Sequence, residues 1–188
     1  MTILNDSAIQ HGEFFSPTEP KSHSHGMSYG LSSFGYDVRM GNSIKILSQK
    51  LKRGYRVLDT TDSRIEDQYS EYILQEDDKA CFLLRPFRHC LVVSYETVRI
   101  PADCLAVTYP KSTLSRLGLE VTPAVLEPNW KGRITFSLFN RTDRCIRLYY
   151  KMPLAQVVFF WGELPNRGYE GKYQGTMSAT VPVLDVPV

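Results

Sequence analysis

Apolar residues along this chain fall in short runs, and within many of these runs they alternate with polar residues. In RITFSLF, residues 133–139, three apolar side chains fall on one face, and Arg133, Thr135, Ser137 and Phe139 fall on the other. Such alternation is typical of a β-strand with one buried face. Runs rich in β-branched and aromatic residues, bounded by Gly, Pro, Asn or Asp, predict eight strands. They are YDVRM (36–40), SIKIL (43–47), CFLLR (81–85), HCLVVSY (89–95), CLAVTY (104–109), RITFSLF (133–139), CIRLYY (145–150) and LAQVVFF (154–160).

The order of these strands predicts the fold class. No long stretch shows helical periodicity, although short helices are expected near Asn5–Gln10 and at Ser112–Leu117. The chain is therefore predicted to be an all-β sandwich or barrel. It has no internal repeat and no linker, so residues 1–188 are expected to form a single domain. Residues 16–28 are polar and proline-rich and predict a loop. The tail at 164–188 is expected either to be disordered or to fold over a neighbouring subunit or a ligand.

Composition and charge narrow the class of protein. Hydrophobic residues make up 43% and charged residues 22% of 188 residues, which is typical of a globular domain with a core. The net charge of +2 favours neither nucleic acid nor membrane as a partner, whereas a compact anionic ligand needs only a local basic cluster. There is no long apolar run and no secretory signal, so we expect a cytoplasmic protein that does not span a membrane.

Several kinds of chemistry lack their sequence signatures. The chain contains neither a P-loop nor a Rossmann glycine motif, and no nucleophile elbow. His11–Glu13 matches the first half of a zinc deaminase motif, but no P-C-x-x-C follows, and His23 and His25 lie in the predicted loop, so zinc is not expected. The cysteines form no CxxC pair, and their apolar surroundings predict buried, reduced thiols. They are Cys81, Cys90, Cys104 and Cys145.

Five motifs in order give the chain a family resemblance. They are SYGLSSFGYDVRMG (28–41), KSTLSRLGL (111–119), LEPNWKG (126–132), LAQVVFF (154–160) and GKYQG (171–175). Together they resemble the dCTP deaminase branch of the dUTPase superfamily. The resemblance implies a distorted β-barrel or jelly roll, a homotrimer with sites between subunits, a pyrimidine nucleoside triphosphate as ligand, and Mg²⁺ bound through the triphosphate, with no direct metal ligand on the protein. Asp37 and Arg39 are expected to form a buried or interface pair, and Gln156 is expected to be structural.

The resemblance also assigns residues to the site. Ser112 and Arg116 match a phosphate-binding element, since a hydroxyl and backbone N–H groups at a helix start and a guanidinium suit phosphate oxygens. Glu127 matches an acidic position that orients a water or binds the sugar 3′-hydroxyl, and Lys172 and Tyr173 match a tail motif that closes over the phosphates. The predicted nucleotide-binding residues are Lys111, Ser112, Thr113, Arg116, Trp130, Lys172, Tyr173 and Thr176, and the predicted catalytic residues are Glu127, Arg116 and Ser137.

Two positions depart from the deaminases that the chain resembles. Ser137 stands where those enzymes resemble TLEISN, with a glutamate that moves protons between the attacking water and the leaving ammonia. Serine has no pKa suited to this role, and loss of a general acid or base typically lowers the rate by about 10²- to 10⁴-fold. Thr176 stands where the deaminases resemble GKYQGQ, so it offers no amide to a ligand.

Three functions remain open from the sequence. The favoured one is Mg²⁺-dependent release of pyrophosphate from a pyrimidine (deoxy)nucleoside triphosphate, because this reaction needs no base at Ser137 and SLFN (137–140) looks like the dUTPase pattern. The second is deamination of dCTP with a displaced proton shuttle, for which Glu120 is the nearest candidate. The third is a nucleotide-binding protein or regulator that has lost turnover.

Overall fold

A computed structural model of the chain describes residues 2–48, 58 and 63–184. Two short helices, α1 (Asp6–His11) and α2 (Ser112–Arg116), accompany one 3₁₀ helix (Ser63–Gln68) and the strands. The strands are β1 (Thr2–Ile3), β2 (Phe15–Ser16), β3 (Ser22–Ser24), β4 (Met27–Ser32), β5 (Gly35–Leu47), β6 (Tyr69–Ile73), β7 (Cys81–Leu84), β8 (His89–Arg99), β9 (Cys104–Pro110), β10 (Leu119–Val121), β11 (Val125–Leu126), β12 (Lys131–Asn140), β13 (Ile146–Tyr149) and β14 (Pro153–Trp161).

The strands form one large antiparallel sheet that curls around its own core. Its main path runs β10-β12-β8-β5-β14-β9-β11, and the short strands β1, β2, β4 and β6 pair along it, with β3 on β4. β7 and β13 form a separate two-stranded sheet. This arrangement confirms the predicted all-β, barrel-like fold with short helices. No helix in the described ranges is long and apolar enough to cross a lipid bilayer.

The alternating pattern of β12 decides which face packs inward. Ile134, Phe136 and Leu138 are almost fully buried, together with Val92 from β8 and Ile44 from β5. The opposite face of β12 is partly exposed along its length. The prediction from sequence is confirmed, and the polar side chains of β12 and their neighbours on β8 form the outer face of the sheet, which carries the chemistry below.

Two local predictions needed correction. The runs at 36–40 and 43–47 form one strand, β5, that changes register between Met40 and Ile44. Gly41 lies at this irregularity, where a Cβ atom would come within 2.8 Å of the Ser94 carbonyl oxygen, so the absent side chain allows the two strands to pack closely.

The segment at 16–28 contains strands rather than a continuous loop. β3 and β4 form a hairpin whose two turn residues, His25 and Gly26, have φ values of 51° and 73°. Positive φ at both central positions is typical of a tight hairpin turn, which matches the twist of the flanking strands. Pairing of β4 with β5 then stabilises a segment whose polar composition indicated a loop.

The cysteine prediction is half right. Cys90 and Cys104 are buried, and burial raises the pKa of the Cys90 thiol to about 12 and that of Cys104 to about 11. Cys81 and Cys145 are exposed instead. Cys81 begins β7 and Cys145 directly precedes β13. One face of this small sheet is open to solvent, so an apolar run did not imply burial there.

Candidate functional site

A cavity of about 320 Å³ lies between β11, the start of β12 and the C-terminal tail. Its volume falls at the lower end of small-molecule sites, which span roughly 300–1,000 Å³. Four residues predicted from sequence line it: Glu127, Trp130, Tyr173 and Thr176. The structure therefore brings together the acidic turn and the tail motif, which are more than forty positions apart in the sequence.

The turn before β12 positions Glu127 and Trp130. The N–H of Trp130 donates to the carbonyl of Glu127 at 3.1 Å, and Asn129 closes the turn with a φ of 67°, a conformation that asparagine tolerates better than most residues. The Trp130 indole is buried beneath the turn, while the Glu127 side chain is exposed at the cavity. A carboxylate in this position is free to orient a water or a hydroxyl group.

The tail is joined to β12 by backbone hydrogen bonds. The N–H of Gly175 donates to the Lys131 carbonyl at 2.8 Å, and the N–H of Arg133 donates to the Thr176 carbonyl at 2.7 Å. Gly132 lies between these bonds with a φ of 155°, and a Cβ atom there would come within 2.8 Å of the Thr176 carbonyl oxygen. Glycine at this position therefore allows the tail to approach the strand.

Side chains strengthen the same joint. The Trp130 Nε1–H donates to the Tyr173 carbonyl at 3.0 Å. Gln174 accepts from the Lys131 N–H at 2.8 Å and donates to the Asn129 carbonyl at 3.0 Å, so one amide side chain binds both the turn and the strand. Motif matching gave Gln174 no role, and its place within GKYQG was the one available signal.

Thr176 uses its hydroxyl on the protein itself. Its Oγ1 lies 3.3 Å from the Tyr173 carbonyl oxygen and 3.4 Å from that of Arg133. Thr176 lines the cavity but directs its donor to the backbone. With threonine in place of glutamine, this position has no amide that could contact a ligand. Its hydroxyl contacts the backbone of the protein instead.

Arg133 is a cavity residue that the motifs did not identify. It lies on the outer face of β12, and its Nε is buried without a hydrogen-bond partner among the described residues. A buried donor without an acceptor is costly, so an oxygen atom of a ligand would satisfy it. The alternation of β12 placed Arg133 on the polar face, but no motif gave it a function.

The predicted phosphate-binding residues of α2 lie elsewhere on the chain. Ser112, Thr113 and Arg116 are exposed, and none of them lines the cavity. Lys111, which precedes the helix, donates from Nζ to Asp37 Oδ2 at 2.8 Å and to the Ser28 hydroxyl at 2.9 Å, and so anchors the start of α2.

Lys172, at the other end of the predicted set, is exposed. Its Nζ lies 5.9 Å from the centre of the Tyr173 ring, and it does not line the cavity. Within one chain, Tyr173 of the tail motif therefore lines the cavity, whereas Lys172 and the residues of α2 do not, and the binding roles of all of them stay predictions.

Asp37 and Arg39 are both buried, but they do not pair with each other. Asp37 binds Lys111, as described. Arg39 donates from Nε to Glu96 Oε1 and from Nη2 to Glu19 Oε1, both at 2.7 Å. In place of the expected pair, Asp37 and Arg39 form three ion pairs with other residues, which tie β5 to other elements.

Gln156 donates to the Ser32 hydroxyl at 2.6 Å, in keeping with the structural role expected of it. This contact links β14 to β4.

Ser137 lies on the same outer face as Arg133 and Thr135, opposite Leu91 of β8. His89, two residues before Leu91, brings Nε2 to 2.8 Å from Ser137 Oγ. Burial lowers the pKa of the His89 imidazole below its ordinary value of 6.5, which favours the neutral ring. No motif pointed to His89, because its partner is 48 positions away in the sequence.

Glu120, the predicted alternative proton shuttle, is engaged elsewhere. It lies opposite Phe139 on β12, and its carboxylate accepts from Nε and Nη2 of Arg141. The exposed ion pair with Arg141 holds the Glu120 carboxylate on the far side of Phe139 from His89. The polar side chain in contact with Ser137 is His89.

The described residues contain no cluster of three His, Cys, Asp or Glu side chains that could hold a metal ion. A larger groove of about 740 Å³ lies between β5, β6 and β7, and none of the predicted site residues lines it. The cavity beside β12 is thus the candidate site.

Known proteins resemble this chain along nearly its whole length. A protein-family model described as dCTP deaminase-like matches residues 13–162. The chain is 35% identical to a dCTP deaminase from Methylococcus capsulatus, with 95% of both chains covered, and 34% identical to one from Gemmatimonas aurantiaca, with 92% of this chain and 91% of the relative covered. It is 34% identical to one from Helicobacter hepaticus, with 83% and 82% covered.

A solved structure shares the fold. The 2′-deoxycytidine 5′-triphosphate deaminase from Agrobacterium tumefaciens superposes with a TM-score of 0.61 at 19% sequence identity, over 85% of this chain. The aligned part spans about half of that protein, 48% of its chain. At this level of identity the likeness concerns the fold alone.

These comparisons correct the preference for pyrophosphate release. The relatives that match along nearly their whole length are named for deamination, so the favoured expectation from sequence was wrong. That expectation gave most weight to Ser137 and to SLFN at 137–140. Similarity over nearly the whole chain reflects many positions, so it outweighs the substitution of one residue.

Proposed function

The chain belongs to the dCTP deaminase-like family, and from this premise we propose that it replaces the 4-amino group of cytosine in dCTP with oxygen, forming dUTP and ammonia. The observation that carries the proposal is the 35% identity to a dCTP deaminase over 95% of both chains. The cavity beside β12 agrees with it in size and in the residues that line it.

The cavity offers the contacts that a nucleoside requires. Trp130 and Tyr173 supply aromatic and apolar surface, and Arg133 offers a buried Nε to an oxygen of the base, sugar or phosphate. Glu127, exposed at the cavity, would orient a water or bind the 3′-hydroxyl. The tail, held by Gln174, covers the ligand from the solvent side.

The triphosphate would be bound by the exposed residues of α2. Ser112, Thr113 and Arg116 do not line the cavity of their own chain, so we propose that another copy supplies them in a homotrimer with sites between subunits. Mg²⁺ suits this arrangement, because it keeps several waters and binds triphosphate oxygens without needing a cage of protein carboxylates. When bound, it would neutralise phosphate charge.

A product analysis tests the proposed function. Purified protein with Mg²⁺ would receive dCTP, dUTP, CTP or UTP separately, and ammonia, pyrophosphate and nucleotides would be measured by chromatography. We expect ammonia and dUTP from dCTP, without pyrophosphate. Pyrophosphate without ammonia would overturn the proposal.

Binding of dCTP without either product would instead support a second candidate, a nucleotide-binding protein or regulator without turnover. Ser137 in place of the family glutamate is the observation that favours this candidate. A cytoplasmic location fits either function and stays a prediction.

A further inference from the structure

Deamination of cytosine requires protons to move at two points. Water adds to C4 as N3 gains a proton, and the amino group then needs a further proton before it leaves as ammonia. A positioned group with a suitable pKa normally performs these transfers. The Ser137 hydroxyl cannot hold a proton in this way by itself, so the proposed function leaves the proton path open.

The structure places an imidazole next to this hydroxyl. Nε2 of His89 lies 2.8 Å from Ser137 Oγ across the β8–β12 pair. His89 faces Phe139 directly, and its ring leans diagonally towards Ser137, as cross-strand neighbours can in an antiparallel sheet. Serine is shorter than glutamate, so a second side chain is needed to take up the proton. His89 lies close enough to Ser137 Oγ to do so.

This pair adjoins the cavity. Thr135 and Leu91 line the cavity, and Ser137 is both the cross-strand partner of Leu91 and the next outward residue after Thr135. The separation along the strand is roughly 6.7 Å. A nucleoside in the cavity that extends its base along β12 would bring C4 towards Ser137.

We propose that Ser137 and His89 form the proton relay of this site, in which the Ser137 hydroxyl contacts the attacking water and His89 stores the proton. This inference rests on the proposed function. It assigns Ser137 a direct role and gives His89 a role that acts through Ser137.

The relay balances in protons and bonds. The water gives one proton to Ser137 Oγ as the hydroxyl proton of Ser137 moves to Nε2 of His89, and the water oxygen bonds to C4. The stored proton returns through Ser137 to N3. The proton of the new C4 hydroxyl then follows the same path to the amino nitrogen, the C4–N bond breaks, and ammonia leaves as the C4 carbonyl forms. Both residues return to their starting state.

The surroundings of His89 suit a base. The relay requires an unprotonated Nε2, which a neutral imidazole with its proton on Nδ1 provides. Burial alone lowers the pKa of this ring below 6.5. Glu120, on the far side of Phe139, is engaged with Arg141. The titratable and charged side chains on this face of the neighbouring described strands, or just beyond them, are Lys45, Tyr69, Glu71, Glu120, Lys131, Arg133 and Arg141.

Four variants test the relay: His89→Gln, Ser137→Glu, the double variant with both changes, and His11→Gln as a control. His11 is an exposed histidine on α1. Ammonia release from dCTP would be followed from pH 5 to pH 8, and dCTP binding would be measured by calorimetry. We expect kcat of the wild type and of His11→Gln to fall as the pH drops through the pKa of His89, because protonation removes the base.

His89→Gln keeps a hydrogen-bonding amide but cannot titrate. We expect it to bind dCTP normally, to lose about 10²- to 10⁴-fold in kcat, and to lose the acidic decline. Ser137→Glu is expected to turn over dCTP by itself and to restore turnover when it is combined with His89→Gln, because the carboxylate replaces the pair. If His89→Gln turned over dCTP at the wild-type rate, the relay would be wrong, but the proposed function would stand. Absence of ammonia from wild-type protein that binds dCTP would overturn the proposed function, and the relay with it.

Discussion

Arg133 carries the clearest unsatisfied interaction in the cavity at the scale of single residues. Replacing Arg133 with methionine keeps much of the apolar stem and removes the guanidinium. A hydrogen bond to a charged group contributes about 1.5–3 kcal/mol, so we expect the Kd for dCTP to rise by about tenfold to a hundredfold. Calorimetry would measure the change.

A matched control for this experiment is Arg144→Met. Arg144 is exposed in the turn that follows β12 and does not line the cavity. If Arg133→Met binds dCTP as tightly as Arg144→Met does, Nε of Arg133 meets no ligand oxygen.

The cysteines differ in reactivity because thiolate content follows exposure and pKa. Cys81 and Cys145 are exposed, whereas burial raises the pKa of Cys90 to about 12 and that of Cys104 to about 11. We therefore expect a maleimide at neutral pH to add to two thiols in folded protein and to all four in denaturant. Intact mass and peptide mapping would count and locate the additions. Labelling of Cys90 in the folded state would contradict its burial.

The joint between the tail and β12 is a property of elements. Gly132→Ala places a Cβ atom 2.8 Å from the Thr176 carbonyl oxygen, so the tail must shift. We expect faster trypsin cleavage after Arg167 and Lys172 and weaker dCTP binding. Limited proteolysis followed by mass spectrometry would measure the first effect.

The control for the tail is Gly162→Ala, since nothing lies within 4 Å of a Cβ atom at this position. It follows β14 and should leave proteolysis unchanged. Equal cleavage rates in the two variants would mean that Gly132 does not control how the tail is seated.

Element prediction succeeded where alternation and burial coincide. All eight predicted runs lie in strands, two of them joined in β5, because each contributes apolar side chains to the core. It failed at the hairpin of β3 and β4. β3 (SHS) is short and polar, whereas β4 (MSYGLS) alternates apolar residues with small or polar ones, and the two form strands through a two-residue turn and through pairing of β4 with β5. These pairings are local and join positions three to seven residues apart, but the polar, proline-rich residues before β4 indicated a loop and concealed them.

Site prediction had a similar limit. Glu127, Trp130 and Tyr173 belong to motifs, and the structure brings them to one cavity. Arg133 and His89 belong to no motif. The role of Arg133 depends on its buried Nε, which has no hydrogen-bond partner among the described residues. The role of His89 depends on its contact with Ser137, 48 positions away in the sequence. Such features arise from packing and were therefore invisible in the sequence.

The separation of α2 from the cavity bears on the whole molecule. If sites form between copies, Arg116→Ala and Glu127→Gln damage different chains of the same site. We expect each variant alone to be impaired, and mixed trimers from co-expression to recover part of the activity, because some sites then combine two intact contributions. Ammonia release by the purified mixture would measure the recovery.

The control for the mixing experiment combines two preparations of one variant. Equal activity of the mixed and unmixed samples, or a solution mass equal to the 21.5 kDa of a single chain, would contradict sites shared between copies.

The backbone bonds at Gly175 and Thr176 also affect how this molecule can change over time. They hold the tail through main-chain atoms, and the side chain of Gln174, which does not line the cavity, adds to them, so this anchoring does not depend on the side chains of Thr180 and Pro182. Thr180 and Pro182 line the cavity from this segment, and Thr180 is itself held by its backbone N–H. New side chains at these positions can therefore alter the choice of base or sugar without loosening the fold, which makes the tail the natural place for substrate preference to drift or to be engineered.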